Sequence, residues 1–248
     1  MSRLSQKIEE ITHGAGQSIG FRMQVAATKG AAMMLVAAVD RGDAGAAGVA
    51  REGADAVLLR GTGDVSDAVL STLDSSLWGV SVDGSTGVDI AALKDKGCDY
   101  LVLDAESAPM ALLGVEGVGK VVQTTASLEM GLVGAVGQLP VDAVLLQSGD
   151  GDSLSMQVLL KSYYVAAMTR RPLLVQIPLS TPGDGLQVLH DAGVAGVVAD
   201  IQGGDGQALS ALKKAIESLP PRSRKKERDV AVLPFLGGGD MASLDDEE

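Results

Sequence analysis

The sequence predicts an α/β protein in which eight parallel strands, alternating with helices, close into a (βα)8 barrel. Three observations carry this. The first is a set of four related apolar runs: GADAVLLR at Gly53–Arg60, GCDYLVLDAE at Gly97–Glu106, VDAVLLQS at Val141–Ser148 and GVAGVVAD at Gly193–Asp200. Aligned on Asp55, Asp99, Asp142 and Ala195, they lie 44, 43 and 53 residues apart. The second is an interleaved set, Met33–Val39, Leu77–Val82, Lys120–Thr125 and Pro172–Ile177, whose starts are 44, 43 and 52 residues apart. A fixed period of this kind marks a repeated supersecondary unit. The third is that these runs are short, rich in Val and Leu, and apolar on both parities. Such runs read as strands buried on both faces. About one helix fits between consecutive runs, which favours a parallel sheet. An even repeat favours closure over a doubly wound sheet, whose strand order must reverse.

The elements follow in order. Residues 1–30 form an N-terminal helix and connection. Leu4, Ile8 and Ile11 share one face of Ser2–Ile11, suiting it to close the bottom of the barrel or to contact another subunit. Next comes HGAGQSIG at His13–Gly20, with glycines near the GxGxxG spacing. That fingerprint needs a strand before it and a helix after it, and here a helix precedes it, so dinucleotide binding is not expected. Residues 31–219 are the barrel. The connection Arg41–Glu52 is Gly/Ala-rich and a poor helix by propensity, so it is short or tightly packed. Val65–Leu73, Gly87–Lys96, Ala108–Val115, Leu128–Val136, Ser153–Arg171, Asp184–Ala192 and Gly206–Leu219 supply the other helices. The longest, Ser153–Arg171, accounts for the stretched last interval. Its Leu154, Val158, Tyr164, Val165 and Met168 make a wide apolar stripe, read as core or subunit interface. Pro220-Pro221 stops the last helix, because proline lacks the amide and clashes with the preceding turn. Residues 220–248 are a tail, docked or disordered: a basic cluster at Arg222–Arg228, an apolar island at Val230–Leu236 with Leu233 and Phe235, and an acidic end at Asp245–Glu248.

Composition narrows the function. The chain has 248 residues, near the usual size of one such barrel, and 46% are hydrophobic but only 2% aromatic, so the core is aliphatic. Its formal net charge of −12 and single basic cluster argue against nucleic acid as a partner. One cysteine, Cys98, excludes an internal disulfide and a CxxC metal site. No apolar run approaches the ~18 residues that span a membrane. The first ten residues carry charge and lack the apolar core of a secretory signal, so the expected compartment is the cytoplasm. The expected partners are a small-molecule ligand and, through the tail, a second copy or another protein.

In a barrel, strand side chains alternate between the interior and the helical shell. The parity that points Asp104 inward also points in Asp40, Arg60, Ser81 with Asp83, Gln123 with Thr125, Gln147, Gln176 and Asp200. Every strand thus offers a polar residue at or near its carboxyl end, where barrel enzymes build their sites. An Asp after a strand is also a good N-cap for the next helix, the other explanation for Asp40 and Asp200. Amides at Gln123, Gln147 and Gln176 point to a hydrogen-bonding cavity or an internal polar network. Asp83 and Asp104 are candidate ligands for Mg²⁺, which favours oxygen donors. The alternative pairs Arg60 with one Asp and leaves the remaining carboxylates solvated.

Absences exclude several chemistries. No lysine stands at a strand's carboxyl end, which argues against a Schiff-base aldolase. No histidine does either, since His13 precedes the barrel and His190 lies in a helix, which argues against zinc or His-base catalysis. There is no GxSxG and no Cys–His pairing. The loops after strands seven and eight, Leu179–Gly185 and Ile201–Gln207, hold glycines where many barrels bind phosphate. Asp184 and Asp205 would repel phosphate there, and neither loop carries a cation.

The stretch TPGDGLQVLHDAGVAGVVADI at Thr181–Ile201 resembles the closing segment of phosphate- and flavin-binding barrels. A proline-led helix there leads through an Ala-Gly turn to a Gly-Val-Val strand. The resemblance covers about twenty residues and implies the aldolase-type (βα)8, or TIM, barrel superfamily; it is specific for fold and not for ligand. Two functional readings stand. In the first the protein is an enzyme acting on a small polar or anionic metabolite, a lyase or isomerase by fold analogy. Arg60 binds a carboxylate or phosphate, Asp104 acts as acid/base, and Ser81, Gln123, Thr125, Gln147, Gln176 and Asp200 hold the substrate. In the second it is a non-catalytic barrel, a binding or assembly subunit whose mouth is a structural network.

Overall fold

A computed structural model of the protein describes residues 2–13, 31–85, 89–124, 130–148 and 154–220. Eight strands form one closed barrel in chain order, with every neighbouring pair parallel and β1 hydrogen-bonded to β8. They are β1 Met34–Asp40, β2 Ala56–Arg60, β3 Trp78–Val82, β4 Tyr100–Asp104, β5 Gly119–Thr124, β6 Ala143–Leu146, β7 Leu173–Gln176 and β8 Gly196–Asp200. The helices are α1 Arg3–His13, α2 Ala44–Gly53, α3 Asp67–Thr72, α4 Ile90–Asp95, α5 Met130–Val136, α6 Met156–Thr169, α7 Gly183–Asp191 and α8 Gly206–Ser218. The expected helix at Ala108–Val115 is instead a 3₁₀ turn, Met110–Gly114. It has Pro109 at its start and Gly114 at its end, and it buries no residue, so packing does not extend it.

The barrel interior is the parity the alternation predicts. Val36, Ala38, Ala56, Leu58, Tyr100, Val102, Val121, Ala143, Leu145, Leu174 and Val198 form one buried cluster. Residues of the other parity, such as Leu35, Val57, Leu101 and Val197, form a second cluster with the helices. Tyr100 is the one large aromatic side chain of the interior cluster, and its hydroxyl donates to the Val57 carbonyl at 2.8 Å. Complete burial holds that phenol well above its ordinary pKa. Gly79, facing it from β3, makes the room: a Cβ there would lie 2.5 Å from Tyr100 Cδ2.

The aspartates that mark the repeat are structural. The Leu35 N–H donates to Asp55 Oδ2 (2.9 Å), the Trp78 N–H to Asp99 Oδ2 (3.2 Å) and the Lys120 N–H to Asp142 Oδ2 (2.9 Å). In each βαβ unit the Asp ahead of the second strand thus satisfies an amide at the start of the first. Two of them also fasten α1. Arg3 pairs with Asp99 at 3.2 Å, and the Ser2 hydroxyl donates to Asp142 Oδ2 at 3.2 Å. Leu4 and Ile8, wholly buried, enter the interior cluster. Helix α1 therefore closes the amino-terminal end of the barrel, with about 1.5–3 kcal/mol from each of these two side chains.

The Gly/Ala-rich connection after β1 is a ten-residue helix, α2, capped by Asp43, whose Oδ1 accepts from the Ala46 N–H at 2.8 Å. Its composition is a packing requirement. Ala46, Ala47 and Ala50 are fully buried, and a Cβ on Gly53 would lie 2.6 Å from Leu209 Cδ2 of α8. The apolar stripe expected on the longest helix is only partly inward. Val165 is buried, Leu154, Val158 and Tyr164 pack half-buried against the shell, and Met168 is exposed. Residues 14–30 and the tail beyond Pro220, with its expected docking through Leu233 and Phe235, lie outside the described residues.

Candidate functional site

The polar strand ends gather at the carboxyl mouth, directly above the aliphatic plug. Asp40, Arg60, Asp104, Gln176 and Asp200 are the last residues of β1, β2, β4, β7 and β8. Ser81 and Gln123 are the penultimate residues of β3 and β5, while Asp83 and Gln147 follow β3 and β6 by one residue. Thr125 lies outside the described residues.

Three of these side chains meet. Arg60 Nη1 lies 2.6 Å from Asp200 Oδ1, and Gln176 Nε2 donates to Asp200 Oδ2 at 2.6 Å. The Asp200 carboxylate is therefore held from both sides, by β2 and β7. Arg60 Nη2 and Gln176 Oε1 are buried without a hydrogen-bond partner. A donor and an acceptor with unmet demand thus flank one carboxylate, an unusual condition for polar atoms out of water.

The other carboxylates serve their own loops. Asp104 Oδ1 accepts from the Glu106 N–H (3.1 Å), the Ser107 N–H (2.9 Å) and the Ser107 hydroxyl (2.7 Å). That hydroxyl in turn accepts from the Gly84 N–H at 3.2 Å, tying the loop after β4 to the loop after β3. Asp83 Oδ1 accepts from the amide and the hydroxyl of Ser85, at 2.9 and 2.6 Å. Asp40 Oδ1 accepts from the Gly42 N–H at 2.8 Å. Neither Asp40 nor Asp200 is a helix cap, so that explanation fails: Asp43 caps α2, and Asp205 occupies the N-cap position of α8. The sequence pattern shows an Asp after a strand but not which of several nearby Asp residues the helix takes.

Among the described residues no three His, Cys, Asp or Glu side chains are grouped so as to hold a metal ion. Asp83 Oδ1 and Asp104 Oδ1 are both engaged by neighbouring loop donors. Gln123 and Gln147 are half-buried at the mouth, and Ser148 beside Gln147 donates its hydroxyl to the Gln176 carbonyl at 2.8 Å. His190 is buried in α7, within the helical shell.

Sequence reasoning passes over Arg41. It directly follows the last residue of β1, at the head of the Gly/Ala-rich connection, and is only 2% exposed. Its guanidinium donates to the carbonyl of Gly63, at 2.7 Å, and to that of Ser81. Its own N–H donates to the Arg60 carbonyl at 3.1 Å, and its carbonyl accepts from the Ser66 N–H at 3.3 Å. Arg41 thus binds β1, the end of β2, the loop after it and β3 into one rim. Burial lowers its pKa, opposed by the nearby charges of Asp83, Asp40 and Asp64. The usable signal was a second charged residue directly after an inward strand-end Asp.

No protein-family model matches the chain, and no curated protein matches it. Solved structures do. A mutant tryptophan synthase α-subunit from Pyrococcus furiosus superposes with a TM-score of 0.58 at 16% identity, over 75% of this chain and 97% of that one. A thiamine phosphate pyrophosphorylase from the same organism gives 0.57 at 14% identity, over 75% and 96%. A structure from Aquifex aeolicus VF5 gives 0.61 at 13% identity, over 86% and 99%. At this identity the likeness is one of fold. The chain has the (βα)8 barrel fold, which the tryptophan synthase α-subunit and the thiamine phosphate pyrophosphorylase share. Among the described residues no helix is long and apolar enough to cross a membrane.

Proposed function

We propose that the protein is an enzyme that binds a small polar or anionic metabolite at the carboxyl mouth of the barrel. The observation that supports it is the Arg60–Asp200–Gln176 set, with a buried donor and a buried acceptor left unpaired beside one carboxylate. A ligand carrying an acceptor next to a donor would satisfy both, once the mouth opens around them. In this reading Arg60 Nη2 binds a carboxylate or phosphate oxygen and Gln176 Oε1 accepts from a ligand hydroxyl or amide. Ser81, Gln123 and Gln147 line the remaining wall. Asp104, fixed by Ser107, moves a proton, as a lyase or an isomerase requires. Asp83 and Asp104 are the residues that would help to hold Mg²⁺, whose chemistry would be to stabilise a developing oxyanion.

The test is thermal shift followed by calorimetry, using a panel of small carboxylates, hydroxy acids and phosphate esters, with and without Mg²⁺. A true ligand at about a hundred times its Kd adds about 2.7 kcal/mol of stability. Arg60→Lys should weaken that ligand, because an ammonium does not reproduce the guanidinium fork. If no member of the panel raises the melting temperature, the enzyme reading fails. A non-catalytic binding or assembly barrel is then the reading left. It has its own support: Asp40, Asp83 and Asp104 already accept hydrogen bonds from their own loops, and Arg60 and Asp200 neutralise one another.

A further inference from the structure

Helix α6 carries large apolar side chains on the face turned away from the barrel. Ser162, Val165 and Thr169 face the barrel and are buried. The opposite stripe carries Met156, Leu160 and Tyr163, at the i, i+4 and i+7 spacing of one helix face, and they are 68%, 62% and 41% exposed. Val188 of α7, 47% exposed, shares with Met156 a groove of about 280 Å³ whose walls also include Leu154, Leu159 and Leu189. Apolar side chains exposed along the rim of an apolar groove mark a contact surface.

We infer that this α6/α7 face is the docking site of the chain's own apolar island, Val230–Leu236. The described chain ends at Pro220, just past α8. Helices of the barrel run antiparallel to its strands, so α8 ends at the amino-terminal side. It packs on α7, which packs on α6. From Pro220 to the groove is therefore about one and a half interhelical spacings, ~15 Å, and up to the ~20 Å length of α8. Nine residues lie between Pro220 and Val230, and the ten extended steps reach about 33–36 Å. The path crosses α7, whose exposed Asp184 and Asp191 suit the basic cluster Arg222–Arg228 that would pass over them. A segment tethered this closely has an effective concentration of about millimolar. A second copy competing for the same face from dilute solution does not reach that level.

The experiment measures access to the face in the full chain. Met156→Cys is labelled with a maleimide, native Cys98 being buried and unreactive; Val188→Cys, on the other wall of the groove, provides a second, independent probe. Each is then combined with Leu233→Asp and Phe235→Asp. The expected result is labelling at least about tenfold slower than in unfolded chain, equivalent to about 1.4 kcal/mol of closure, independent of protein concentration, and restored by the tail substitutions. Protection that grows with concentration, ignores the tail substitutions and accompanies a dimer mass in light scattering would overturn the inference in favour of a second copy. Full-rate labelling at both positions, with or without the tail substitutions, would overturn it outright.

Discussion

Arg60 Nη1 and Asp200 Oδ1 lie 2.6 Å apart although their strands are not neighbours: β1 runs between them. The register sets Ala38 of β1 opposite Asp200, one layer below the Asp40–Arg60 pair. Only a methyl group therefore stands under the guanidinium as it crosses. Ala38→Leu is expected to part the ion pair and cost about 1–3 kcal/mol by overpacking. Asp200→Asn should cost no more than about 1 kcal/mol, since Asp200 is half-exposed. Thermal melts of the two variants check this. A loss of several kcal/mol in Asp200→Asn would mean that the pair is there for stability, against a ligand-binding role.

Arg41 is expected to be irreplaceable by lysine. One ammonium does not span the carbonyls of Gly63 and Ser81 as the two ends of the guanidinium do. Arg41→Lys and Arg41→Met should each lose about 1.5–3 kcal/mol, the worth of hydrogen bonds made by a charged group. Amide exchange in the loop after β2 should accelerate in both. If Arg41→Lys melts with the wild type, the guanidinium is not the clasp of the rim.

Asp99 gives a pH dependence with a definite sign. Burial raises its carboxyl above the ordinary value, outweighing the hydrogen bond from the Trp78 N–H and the charge of Arg3, which lower it. A group whose folded pKa is raised contributes stability that is full below its unfolded pKa, ~3.9, and is lost as pH rises through the folded value. Asp99→Asn keeps an acceptor for the Trp78 N–H and does not titrate. Relative to the wild type it should therefore gain stability as pH rises through that window. Urea unfolding across about pH 3 to 7 measures the difference; a variant that instead loses ground as pH rises contradicts the assignment.

Cys98 should be inert. It is 5% exposed at the entry to β4, and burial pushes its thiol up to about 12. Near neutral pH it carries almost no thiolate, the reactive form. A thiol reagent at pH 8 should label the native chain at least about a hundredfold more slowly than the unfolded chain, by the protection that buried sites show. Rapid native labelling would place this end of the barrel in frequent opening.

The sequence by itself determined the strand positions, their parallel order and which parity faces inward. Those features are written locally, in two-residue alternation and in a 43–44-residue repeat that only one closed architecture satisfies evenly. It also placed the polar residues at the carboxyl ends. It did not determine their partners. Arg60 and Asp200 are 140 residues apart, and closure between β1 and β8 decides that they meet over Ala38. Asp99 looked like one more repeat position, and only the fold shows it holding both the Trp78 amide and Arg3. Arg41 was one residue of a Gly/Ala-rich connection, and only the fold brings the Gly63 and Ser81 carbonyls to its guanidinium. A strand's pattern records its own two faces, whereas a side chain's partner depends on what the far end of the chain brings to that face. The physical reason is that hydrogen bonds and ion pairs act over about 3 Å, a distance set by tertiary closure and not by spacing along the chain.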